Sequence, residues 1–141
     1  MGRILALDYG LKRTGVAVTD PSRIIATALT VVDTPKVLGF LKDYFTAEEV
    51  DELVIGMPKR LNNQPTEMTP VVERFIGILQ TNFPTKPIHE VDERFTSVMA
   101  QRAMIDGGMK KKQRRQKGNV DKISATLILQ SFLEARSNQM R

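Results

Sequence analysis

Apolar and polar positions alternate from the start of the chain. From Arg3 to Tyr9, Ile4, Ala6 and Asp8 share one face of a strand, and Leu5, Leu7 and Tyr9 share the other. The turn GLKR follows, then a strand from Thr14 to Thr19 and a third, rich in β-branched residues, from Ile24 to Val32. Three consecutive strands with short connections predict an antiparallel meander. The period then becomes helical. Pro35 to Phe45 carries Val37, Leu38, Leu41, Tyr44 and Phe45 at helical spacing, with Pro35 suited to a helix start. Leu53 to Gly56 reads as a short strand and KRLNNQPTEMT as a polar loop. Thr69 caps a helix with Pro70 in its first turn, running to about Asn82. Lys86 to Val91 gives a fifth strand. Thr96 or Ser97 caps a helix ending near Gly107-Gly108, and a last helix runs from about Val120 to Arg136. The order βββαβαβαα predicts an α/β fold over 1–141 as one domain. Its mixed five-stranded sheet combines the antiparallel meander with two parallel strands, flanked by helices.

One residue breaks the pattern. Asp8 stands where the first strand's apolar alternation should continue, and an ionised acid on a core face is costly without compensation. A second acid shows the same anomaly. On a helical wheel at about 100° per residue, with Asp121 as zero, Ala125 falls near 40°, Ile128 near −20° and Phe132 near 20°. Asp121 therefore centres the apolar stripe of the last helix, although a first-turn aspartate answering the helix dipole reads the same way. The third candidate is DERFTS, Asp92 to Ser97, where the fifth strand ends. Adjacent strand residues face opposite ways, so Asp92 and Glu93 do not both point into one site unless the strand has already ended. Taken singly, that stretch is a solvated turn with a helix cap.

Together, acids at the ends of three elements suit two divalent ions about 3.5–4 Å apart, the arrangement that hydrolyses phosphodiesters. Such ions would also compensate Asp8. Oxygen donors and the absence of cysteine point to Mg2+ or Mn2+ and away from zinc.

Composition narrows the field further. Apolar residues at 41% and charged residues at 26% are those of an ordinary globule, and a cysteine-free chain suits a reducing compartment. The start MGRILALDYG lacks the order of a signal peptide and no apolar run reaches membrane-spanning length, so a cytoplasmic protein without membrane attachment is expected. The net charge of +5 is concentrated: six of 21 basic residues lie in KKKQRRQK, namely Lys110, Lys111, Lys112, Arg114, Arg115 and Lys117. Flanked by Gly107-Gly108 and Gly118 and just ahead of Asp121, this run can draw a phosphate backbone over the acids. Lys12 and Arg13 in the first hairpin can do likewise. A solvated charge run is the plainer reading of both. His89, the single histidine, falls on a strand and reads as structural or surface. Met99, Met104 and Met109 read as core filling or surface. No glycine-rich phosphate loop is present, so no nucleotide cofactor is expected.

At LALDYGLKRTGVAV (Leu5 to Val18), VIGMPKRLNN (Val54 to Asn63), VDERFTS and VDKISATLILQSFLE (Val120 to Glu134) the chain resembles the YqgF/RuvX family of Holliday-junction resolvases, also called pre-16S rRNA nucleases. The four motifs follow the family's order and span nearly the whole chain. Asn63 stands where members commonly have glycine, and Phe95 replaces a usual leucine. The resemblance implies an RNase H-like fold and a metal-binding catalytic set of Asp8, Asp121 and an acid of the Asp92-Glu93 pair, with Glu93 favoured. It implies cleavage of structured RNA or branched DNA, either at pre-16S rRNA 5′ ends or at Holliday junctions. A non-catalytic RNA-binding ribosome-assembly factor is the alternative. The DYG strand also resembles the actin-like ATPases, but those need two related domains around a nucleotide. Monomer and homodimer both remain open.

Overall fold

The structure, a computed structural model, describes residues 2–58, 66–92 and the helix 117–139, the last with side chains from 123 to 137. Strands β1 (Arg3–Tyr9), β2 (Arg13–Thr19) and β3 (Ala26–Asp33) are followed by a 3-10 turn (Thr34–Lys36) and helix α1 (Val37–Ala47). Then come β4 (Val50–Met57), α2 (Thr69–Asn82), β5 (Ile88–Asp92) and helix α3 (Lys117–Gln139). The sheet order is β3-β2-β1-β4-β5. β2 is antiparallel to β1 and β3, while β4 is parallel to β1 and β5 to β4. This is the mixed five-stranded sheet that the alternation predicts. α1 stands between β3 and β4 and α2 between β4 and β5, and such helical crossovers bring the chain back to the same end of the sheet, so that each new strand runs parallel to the one before it.

Several boundaries differ for local reasons. Pro35 lies in the 3-10 turn and α1 begins at Val37. β4 starts at Val50, ahead of its apolar run, because Asp51 and Glu52 lie in the strand with their carboxylates on basic partners. Thr69 is the first residue of α2 and not its cap. Its hydroxyl accepts the Thr66 N–H (2.8 Å) and donates to the Pro58 carbonyl (2.7 Å). The helix expected from Thr96 or Ser97 to Gly107-Gly108, and most of the loop KRLNNQPTEMT, lie outside the described residues.

Each face of the sheet has its own core. On one, Leu5, Leu7, Val16, Leu53, Ile55 and Met57 pack with Val37 and Leu41 of α1 and with Val72, Phe75 and Leu79 of α2. On the other, Ile4, Ala6, Ala17 and Val54 meet Ala125, Ile128 and Leu129 of α3. The alanines at 6, 17 and 125 hold the second core to small volumes, so α3 lies close against β1 and β2. Ile128 and Leu129 are fully buried, and truncating such a residue costs about 2–5 kcal/mol. No helix among the described residues is long and apolar enough to cross a membrane.

Candidate active site

β1, β4 and β5 run parallel, so their C-terminal ends lie at one end of the sheet, where open α/β sheets bind ligands. Leu7 pairs with Ile55 and Ile55 with Glu90; one row further on lie Asp8, Gly56 and Val91, the last two themselves paired. On its other side Asp8 pairs with Gly15 of β2. Asp8 thus has glycine on both neighbouring strands. Neither glycine carries a side chain beside the half-buried carboxylate, and strand glycines mark places where a ligand or another backbone comes close.

Alternation puts Asp8 on the face of Ile4 and Ala6, which α3 covers. The direction of α3 follows from two contacts. Arg136 reaches Glu52, which pairs with Ile4, and the Phe132 ring lies tilted 4.9 Å from that of His89, in the row of Ala6 and Val54. Moving towards its N-terminus, α3 therefore advances from the row of Ile4 and Glu52 towards the Asp8 row. Asp121 belongs to that N-terminal part, one turn before buried Ala125; its side chain lies outside those described. Asp92 behaves differently. It pairs with Met57, a member of the α1–α2 core, so it lies on the face away from Asp8, while its neighbour Val91 packs on the α3 side. Glu93, and the basic residues Lys110, Lys111, Lys112, Arg114 and Arg115, lie outside the described residues, as does the side chain of Lys117.

The turn after Asp8 is held from within. Thr34 Oγ1 donates to the Gly10 carbonyl (2.6 Å), and the Thr34 N–H donates to the Lys12 carbonyl (2.9 Å). Thr34 has one hydroxyl proton, so fully buried Thr14, 3.0 Å away, donates to it. Lys12 is exposed on this turn and Arg13, half-buried, opens β2. Tyr9 points to the opposite face, its ring stacked 4.1 Å from that of Phe75, and burial pushes its phenol up from the usual range.

At the far end of the same face is a charge cluster that sequence patterning does not reveal. Glu52 accepts two hydrogen bonds from Arg136 (2.7 and 2.8 Å), one from Arg23 (3.1 Å), and lies 2.9 Å from His89 Nε2. The Arg136 guanidinium, followed by His89, holds the Glu52 carboxyl down at about 2 despite burial. Arg23 sits in left-handed backbone (φ 60°), tied to Asp51 and to the Gly2 carbonyl (2.8 Å) as well. The cluster fastens α3 to β4, β5 and the β2–β3 loop. His89 is thus structural, as expected.

The family described as RuvX, Holliday junction resolvase, matches residues 2–135. A protein of Flavobacterium psychrophilum named "Putative pre-16S rRNA nuclease" is 52% identical over 133 residues, covering 94% of this chain and 97% of its own length. A protein of the same name from Christiangramia forsetii is 53% identical over 133 residues, covering 94% and 98%. Among solved structures, T. thermophilus RuvC in complex with a Holliday junction substrate superposes with a TM-score of 0.58 at 15% identity, over 97% of this chain and 96% of that one. The Thermus thermophilus RuvC structure alone gives 0.50 at 16% identity, over 96% of each chain. At such identities the likeness is one of fold, and the fold is RNase H-like.

Proposed function

The chain belongs to the RuvX family of Holliday junction resolvases, and on that premise we propose that it is a metal-dependent endonuclease of the cytoplasm. Its substrates are phosphodiester bonds in structured nucleic acid, at pre-16S rRNA 5′ ends or at four-way junctions. One observation carries the assignment: Asp8 lies at the open end of β1, between Gly15 and the row of Gly56, on the face that α3 covers.

Asp8, Glu93 and Asp121 form the proposed catalytic set. Asp92 gives way to Glu93 because its pairing with Met57 turns it to the other face. Among the described residues no group of three ligating side chains occurs, so the set needs Glu93 and Asp121 to complete it. The donors fit the ion. They are hard carboxylate oxygens. Mg2+ or Mn2+, as a pair, would be held by Asp8, Glu93 and Asp121, and when bound would supply an activated water and neutralise charge developing on the phosphate. The protein's own share is placement. β1 holds Asp8 on the face that α3, the helix carrying Asp121, covers, and Lys12, Arg13, Lys110, Lys111, Lys112, Arg114, Arg115 and Lys117 draw in the phosphate backbone.

The test is a cleavage assay with Mg2+ or Mn2+ on pre-rRNA fragments and on four-way junctions, wild type beside Asp8→Asn. Cleavage by the wild type alone supports the reading; equal cleavage by both sinks it. Sedimentation then helps to separate the substrates, since paired cuts in a junction call for a dimer.

A further inference from the structure

Lys12 and Arg13 follow Asp8 side by side, and the sheet treats them differently. Lys12 is exposed on the turn and precedes the paired residues. Arg13 opens β2 and is half-buried, with its Nε shut off from solvent. A guanidinium rooted in the protein gives up less freedom on meeting a ligand than a cation standing in open water.

The register fixes the face that Arg13 occupies. Its neighbour Thr14 pairs with Tyr9 on one side and Val32 on the other, and both pack against the core under α1 and α2. Thr14 belongs to that face, so Arg13 and Gly15 belong to the opposite one. Gly15 is the direct partner of Asp8. Arg13 therefore stands on the face of Asp8, diagonally across β1 and β2. Such diagonal positions are about 7–8 Å apart, within reach of a long side chain. The backbone beneath Arg13 is held on both sides: it pairs with Asp33 of β3, and the Thr34 N–H bonds the Lys12 carbonyl just before it (2.9 Å).

A phosphate bound at Asp8 is thus within reach of the Arg13 guanidinium, whose planar fork can donate to two of its oxygens at once. In phosphodiester hydrolysis a water oxygen bonds to phosphorus and the bond to the leaving sugar oxygen breaks. That oxygen departs with a proton from the water, and the arginine stays protonated throughout. Negative charge grows on the non-bridging oxygens on the way, so a donor fixed in advance beside them binds the transition state more strongly than the substrate.

We propose that Arg13 is a catalytic residue whose guanidinium contacts the non-bridging oxygens of the scissile phosphate, leaving Lys12 to the flanking backbone. The inference rests on the reading of Asp8 as part of a nuclease site.

The experiment uses the full chain with Mg2+ or Mn2+ on pre-rRNA fragments and four-way junctions. Single-turnover cleavage is followed at saturating substrate, and binding is titrated separately in the Asp8→Asn background. Arg13→Gln should lower the saturated rate about hundredfold, while affinity falls by at most about tenfold at 0.1 M salt, as for one lost phosphate contact. Arg13→Lys keeps the charge without the fork and should retain more of the rate than Arg13→Gln. Lys12→Gln should lower the salt slope by roughly 0.7–0.9, with a far smaller loss of saturated rate. Asp33→Asn, which removes the exposed acid opposite Arg13, should cleave as wild type does. A folded Arg13→Gln that cleaves at the wild-type rate overturns the proposal and leaves the nuclease reading standing. So does an equal loss of rate in Lys12→Gln or Asp33→Asn, which would make the effect one of general charge or of a cross-strand pair. Failure of both Arg13 variants to melt cooperatively would make the arginine structural and overturn it too. If wild type cuts neither substrate, both readings fall.

Discussion

Glu52 and Asp8 are carboxylates on the same face of the same sheet, under the same helix, and their surroundings differ. Glu52 lies in the row of Ile4, in contact with Arg136, Arg23 and His89. Asp8 lies towards the other end of β1, with Gly15 opposite it and Gly56 one step beyond Ile55 on β4. Arginines around an acid produce a staple: the charge is satisfied inside the protein and the helix is fixed to the strands. Glycines on the strands beside an acid bring it backbone and no neighbouring side chain. The two ends of α3 divide accordingly, one holding the fold together and the other facing the proposed chemistry.

The largest effect should come from Asp8→Asn or Asp121→Asn. Losing a ligand of an ion that stabilises the transition state by several kcal/mol should lower cleavage about a thousandfold or more, at 1.36 kcal/mol per decade. The fold should persist, or gain stability without metal as like charges are relieved. Cleavage rates and melting curves of purified variants measure both, and a cleavage-competent pair of mutants would break the contrast.

Glu52→Gln should show the converse, a loss of stability with chemistry retained once folded. The Glu52 carboxyl is lowered from 4.5 to about 2 in the folded chain. A depressed carboxylate contributes stability that is complete above its unfolded pKa and disappears as pH falls through the folded one. The window is therefore pH 4.5 down to about 2, and the contribution is about 3 kcal/mol. Denaturation at stepped pH should show wild type losing stability across that window and the variant showing a flatter profile. A variant as stable as wild type at pH 7 would deny Glu52 its structural role.

A smaller effect tests the region ahead of Asp121. Replacing Lys110, Lys111, Lys112, Arg114, Arg115 and Lys117 with glutamine should weaken nucleic-acid binding across sequences. It should also flatten the salt dependence, by roughly 0.9 for each duplex phosphate no longer neutralised and less on single strands. Turnover at saturating substrate should change far less, because the acids remain. An unaltered salt slope would make the run a solubilising surface.

The smallest is at Thr34. Thr34→Val removes the bond to the Gly10 carbonyl and should cost about 1 kcal/mol, with faster amide exchange in the turn after Asp8. Thr34→Ser should restore both, whereas a mere volume effect would not be rescued by the smaller residue.

β1 was legible from Arg3 to Tyr9 because alternation is a local property, and each residue's face follows from its parity alone. The same holds for α3, where the wheel that groups Ala125, Ile128 and Phe132 marks the side that packs on the sheet. Asp8 and Asp121 were legible because they interrupt such patterns, whereas Asp92 and Glu93 stood out only by their place at a strand end. β4 was read short, since Asp51 and Glu52 look like loop residues until the arginines that meet them are known. One of those, Arg136, lies 84 residues away. Gly15 and Gly56 could have been noticed as strand glycines, but nothing in their spacing says that they flank Asp8.

By itself, then, the sequence determined the elements, their amphipathic faces and the residues at odds with those faces, because these depend on the period of the chain over a few residues. The tertiary structure decided the rest: which strand lies beside which, that Asp92 turns from Asp8, that Glu52 gathers Arg23 and Arg136, and that Thr34 anchors the turn after Asp8. Those outcomes depend on register between segments far apart in sequence. A shift of one residue there exchanges the faces of every side chain in a strand, and no local periodicity encodes it.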